Sequence, residues 1–148
     1  MNELATQYWH NFWESENLTG KVVEAGQFGD QPDHLLELVI NGVKTATCYG
    51  AIFYTIENKR TPQPGDYSII LDSKDNPRAI IQLTKVEMVP MNKVTEGFAV
   101  AEGDGTYENW YEIHRKFFYE KCREAKIEFH EAMTLVCQTF QLVHVKHS

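Results

Sequence analysis

Lys44 and Thr47 stand three positions apart in the segment Asn41-Gly42-Val43-Lys44-Thr45-Ala46-Thr47. An ammonium group can hold negative charge that develops during a reaction, and a hydroxyl can act as a nucleophile once its proton is drawn away. The same residues also have a plain reading. Lys44 can be a solvated cation near a helix C-terminus, where the dipole favours it, and Thr45 and Thr47 can be ordinary strand residues.

Both readings depend on what holds the segment. Residues 33–41 read as a helix, with Leu35, Leu36, Val39 and Ile40 on one face, Asp33 as the cap and Pro32 ahead of it. Gly42 follows where a left-handed residue ends a helix. Residues 43–49 are rich in Thr and read as a strand. The cation and the hydroxyl therefore sit at a helix-to-strand junction, on backbone pinned at both ends.

Elsewhere the pattern predicts a first helix over residues 2–16, from Leu4, Tyr8, Trp9, Phe12 and Trp13. Residues 20–31, with Gly26, Gly29 and Asp30, read as a loop. Another loop covers 58–66, through Pro62, Pro64 and Gly65. A short strand is expected over 67–71 and a turn over 72–77. A long strand follows over 78–89, with Ile80-Ile81 marking a bulge or two buried faces. Residues 94–102 predict a short helix closed by Gly103. Residues 106–123 predict a long one, striped by Trp110, Ile113, His114, Phe117 and Phe118. A last strand is expected over 133–145. Separated strands with helices between them indicate a single α+β domain with a small, mostly antiparallel barrel.

With 148 residues, 43% hydrophobic and 12% aromatic, the chain has material for one core. No apolar run approaches the ~20 residues needed to cross a bilayer, and the N-terminus lacks a signal-peptide pattern, so a cytoplasmic protein is expected. Cys48, Cys122 and Cys137 are odd in number and far apart, which argues against a disulfide framework. No His or Cys spacing suggests a metal site or cofactor. A net charge of -7 suits a small ligand in a locally basic pocket better than a nucleic-acid coat, and no DNA or membrane partner is expected.

Gly42-Val43-Lys44-Thr45-Ala46-Thr47 resembles the G-x-K-T-x-T signature of the ASCH domain family. Pro64-Gly65-Asp66-Tyr67 resembles that family's P-G-D turn, and Val94-Thr95-Glu96-Gly97-Phe98-Ala99-Val100-Ala101-Glu102 its short helix with an acidic end. Trp110, His114 and the closing strand are similar to the longer bacterial subgroup. The resemblance implies a PUA-like pseudo-barrel core over residues 28–145, with residues 1–27 as an added N-terminal helix and loop.

It also implies nucleoside- or RNA-related work. Small members of the family are amidohydrolases that deacetylate N4-acetylcytidine with a lysine, a threonine and a glutamate. These fall on Lys44, Thr47 and Glu102. Two allocations stay open: Thr47 attacks with Lys44 activating it, or Glu102 activates water while Lys44 stabilises the oxyanion. The family's arginine two positions beyond the threonine is Tyr49 here, which leaves an RNA-binding or ribonuclease role as the alternative. Phe28, Tyr49 and Trp110 are candidates to stack on a base. Thr45, His114 and Arg115 are further candidates for contact with a nucleoside or a short single-stranded RNA.

Overall fold

The computed structural model describes residues 1–16, 23–29 and 31–146. The elements are α1 (Glu3–Glu16), β1 (Val23–Gly26), α2 (Pro32–Ile40), β2 (Ala46–Gly50), α3 (Ala51–Ile56), β3 (Tyr67–Leu71), β4 (Pro77–Pro90), α4 (Glu96–Ala101), α5 (Tyr107–Glu124) and β5 (Thr134–Val145). The strands form one sheet in the order β1-β3-β4-β5-β2, parallel only between β1 and β3. It curls into a half-barrel, the α+β architecture the sequence indicates.

Three apolar clusters lock the helices to the sheet. Tyr8, Trp9 and Phe12 of α1 bury against Tyr67, Ile69 and Ile80. Trp13, expected on the same face, lies outside the residues whose side chains are described. Leu36 and Val39 of α2 pack on Ile70, Ala79, Ile81, Leu83 and Phe140. Trp110, Phe118 and Cys122 of α5 meet Phe53, Met91, Leu135 and Cys137. The pairing register of β4 shifts between Ile80 and Ile81, so the doublet serves both purposes foreseen for it: Ile80 faces α1 and Ile81 faces α2.

Local pattern misled in three places. Residues 23–26, read as loop, form β1, because the edge of β3 offers a parallel partner; Asp30 and residues 20–22 of that expected loop lie outside the described residues. The strand expected from residue 43 begins at Ala46, since the amides of Val43 and Lys44 bond back to Leu38 O. Asp33 does not cap α2: its carboxylate instead accepts from Ser73 N at 2.8 Å and Ser73 Oγ at 2.7 Å, tying α2 to the β3–β4 turn. Ala51–Ile56, to which the sequence pattern assigns no element, is helical. Phe53 is drawn into the α5 cluster across Gly50, whose missing Cβ would lie 2.7 Å from the Phe53 ring.

Candidate active site

Lys44 is held by the way α2 ends. Gly42 takes a φ of 76°, open to glycine at little steric cost. Leu38 O then accepts from Val43 N at 2.8 Å and from Lys44 N at 3.0 Å. Thr45 continues the clamp, donating its amide to Ala101 O at 2.7 Å while its carbonyl accepts from Phe140 N at 3.0 Å. The junction is thereby bonded to α4 on one side and β5 on the other. Gly103, at φ 90°, lets the end of α4 come close, for a Cβ there would stand 3.1 Å from Leu38 and 3.4 Å from Lys44.

The side chain of Lys44 turns inward and is only 4% exposed. Its Nζ donates to Ala46 O at 2.7 Å and Glu102 O at 3.2 Å, and it pairs with Glu102 Oε1 at 3.5 Å. Glu102 is 2% exposed. Its other oxygen, Oε2, accepts from the Trp110 indole N–H at 2.7 Å and lies 3.5 Å from His114 Nε2. Trp110 and His114 are one turn apart on α5 and stack with centroids 4.4 Å apart. His114 Nδ1 lies 2.8 Å from Trp110 O, and a carbonyl can only accept, so Nδ1 carries a proton and Nε2 is the nitrogen turned to Glu102. An acid at the C-terminal end of α4 opposes the helix dipole; one ammonium, one indole N–H and one imidazole offset that.

Burial works hardest against ionising Glu102, but His114, Lys44 and Trp110 together hold its carboxyl below the ordinary value. Burial likewise disfavours imidazolium at His114, yet the hydrogen bond and charge of Glu102 raise its pKa above 6.5. The sign follows for each group. Glu102 contributes stability that is present above the usual carboxyl value and is lost as pH falls through the lowered one. For His114 the contribution is present below 6.5 and is lost as pH climbs through the raised value. Urea midpoints should therefore decline from pH 6.5 upward in the native chain and stay flat over that interval in His114→Gln. A decline of equal size in the variant would remove His114 as the cause.

The remaining candidates divide. Phe28, carried just beyond β1, stacks on Phe140 at 6.3 Å and lies 5.2 Å from Lys44 Nζ, a cation–π distance. Side chains alternate along β2. Cys48 pairs with Cys137, which belongs to the α5 cluster, so Thr47, opposite Gln138, faces the other side. That side carries Phe140, two residues beyond Gln138, and hence Phe28. Thr47 and the stacked Phe28–Phe140 pair thus lie on the same side of β2 and β5.

Trp110 is fully buried and presents no face to a base; its contact is with Glu102. His114 likewise faces Glu102 from within. Tyr49 lies apart, its hydroxyl donating to Glu57 at 2.7 Å and its ring under Lys121. Arg115 is paired with Glu112 on the exposed side of α5, one position past the inward His114. Thr45 acts through its backbone. Sequence reasoning passed over Gln138, which faces Thr47 across the strand pair and donates to Tyr54 Oη at 3.3 Å. It also passed over Cys48. Its sulfur lies within 4.8 Å of ligand atoms of both Glu102 and His114, a set able to hold a metal. Only the parity of β2, once its register was known, could have marked either residue.

Comparison with known proteins identifies the family and the fold. The family model described as ASCH domain matches residues 24–144. Protein EF3133 from Enterococcus faecalis V583, described under DUF984, has a similar structure, with a TM-score of 0.91 and 41% identity over 98% of this chain and 91% of that one. An ASCH domain from Lactobacillus crispatus JV V101 follows with a TM-score of 0.88 and 29% identity over 96% of this chain and 95% of that one. The hypothetical protein PH0355 shares the fold, with a TM-score of 0.54 and 17% identity over 84% of this chain and all of that one. No curated protein matches the chain. Among the described residues no helix is long and apolar enough to cross a membrane.

Proposed function

The chain belongs to the ASCH domain family, with its PUA-like fold, and on that premise we propose that it is an amidohydrolase acting on an acylated pyrimidine nucleoside such as N4-acetylcytidine. The observation that carries this reading is the buried Lys44–Glu102 pair, with Phe28 against the ammonium and Thr47 three residues further along the chain on β2. Buried charge is costly unless it is well paired. Keeping an ammonium group beside an aromatic ring, rather than in water, suits a site that must meet negative charge developing on a flat ligand.

Both carboxylate oxygens of Glu102 are engaged, one by Lys44 and one by Trp110 and His114. That favours Glu102 as the residue that positions Lys44 over Glu102 as the activator of a water. In this reading the Thr47 hydroxyl adds to the acyl carbon while the cationic Lys44 gives up its 3.2 Å bond to Glu102 O and receives the oxygen that becomes negative. Collapse of the adduct breaks the bond to the exocyclic nitrogen, which leaves with the proton shed by Thr47. Water then hydrolyses the threonyl ester, releasing the carboxylic acid. The net charge of -7 fits a nucleoside better than a long RNA.

Incubating the protein with N4-acetylcytidine and following release of acetate tests the reading. Turnover is expected in the native chain. In Thr47→Ala it should vanish, with the unfolding free energy within about 0.5 kcal/mol of native, as for a substitution outside the core. Thr47→Ala turning over at the native rate would exclude Thr47 as nucleophile. A native chain that leaves the substrate intact, yet binds or cuts short RNA at low salt, would replace this function with the RNA-directed one.

A further inference from the structure

The side of Glu102 that faces away from Lys44 has a use of its own. Cys48 reaches it from β2, His114 from α5, and Glu102 itself closes α4. One ligand atom from each lies within 4.8 Å of the others. Ligands bound to one zinc ion at about 2.0–2.3 Å stand roughly 3.3–3.8 Å apart in a tetrahedron. His114 Nε2 and Glu102 Oε2 are already 3.5 Å apart.

The surroundings are those of a prepared ligand set. Metal-bound histidines characteristically donate their second nitrogen to a carbonyl or carboxylate, which fixes the ring and leaves the other nitrogen for the metal. His114 has this arrangement through Trp110 O at 2.8 Å. Glu102 is steadied by the Trp110 indole N–H at 2.7 Å. Cys48 and His114 are each partly exposed.

We propose that Cys48, Glu102 and His114 form a binding site for a borderline-soft divalent cation, zinc above all, which shares the Glu102 carboxylate with Lys44. Thiolate, imidazole and carboxylate together select such an ion over magnesium or calcium. The charge balances. Binding displaces the Cys48 thiol proton and any proton on His114 Nε2, and the thiolate and the Glu102 carboxylate together match the dication. Water takes the fourth position. Lys44 stays on Oε1 while the ion takes Oε2, and the two cations compete for one carboxylate.

Cobalt(II) is the direct probe, because a thiolate ligand gives it a charge-transfer band that oxygen and nitrogen ligands do not. Titration of the metal-free protein should produce this band together with tetrahedral d–d absorption, and zinc should abolish both. Cys48→Ser should lose the band, and His114→Gln should bind at least about 10-fold more weakly. Lys44→Met, freed of the competing ammonium, should bind zinc more tightly than the native chain. Since Cys48→Ser keeps a side chain of similar size, and thermal unfolding of each variant reports its folding, lost binding can be separated from lost structure. A native chain without the thiolate band overturns the proposal. So does a band of native strength in Cys48→Ser, which would place the ion at Cys122 or Cys137.

Discussion

Glu102→Ala is expected to lose about 3–5 kcal/mol of unfolding free energy, the usual result of removing one member of a buried, hydrogen-bonded charge pair. The carboxylate is the common partner of Lys44, Trp110 and His114. Without it the Lys44 ammonium retains only the carbonyls of Ala46 and Glu102, at 2.7 and 3.2 Å. The Trp110 N–H is left buried without an acceptor, which alone costs about 1–3 kcal/mol. Glu102→Gln keeps the volume and one acceptor but not the charge, and should fall between the alanine variant and the native chain. Urea unfolding with an unchanged m-value measures all three. A loss below about 1 kcal/mol in Glu102→Ala would mean that the cluster is solvated like a surface pair.

Lys44→Met should also cut activity sharply: turnover of N4-acetylcytidine should fall about 10²–10³-fold, the range for removing one oxyanion donor. Methionine replaces the stem and can keep the contact with Phe28, so the packing around α2 should survive. Glu102 keeps Trp110 and His114 as partners, and the stability loss should be smaller than in Glu102→Ala. Since Glu102 is assigned to hold Lys44, the two residues should be coupled: adding Glu102→Gln to Lys44→Met should reduce turnover much less than Glu102→Gln does alone. Full additivity of the two losses would assign Glu102 a separate step, and the water-activating allocation would then be preferred.

The first of these effects was half legible in the chain. Residues 41–47 carry a helix stop, a cation and a hydroxyl, and those local signals hold in the structure through Gly42 and Lys44. Glu102 became a candidate only through likeness to a family; its own position, at a helix end that disfavours acids, offered a puzzle. The fold resolves the puzzle by setting Trp110 and His114 one turn apart beneath it. Reading Trp110 as an apolar stripe residue was right about its burial and silent about its indole N–H. Tyr49 shows the reverse error: adjacency to the motif made it a candidate, but the chain turns at Gly50 into α3 and the Tyr49 hydroxyl leaves with Glu57.

Composition and periodicity by themselves determined most of the elements (though not β1 or α3), the α+β class, the irregularity in the long strand and the left-handed stop that places Lys44. These are local properties, written in residues a few positions apart. Tertiary structure decided which polar groups meet. Whether Cys48 or Thr47 faces Glu102 depends on the parity of β2 against β5, and a shift of one residue would exchange them. That register is set by contacts between residues about ninety positions apart, so no window along the chain contains it.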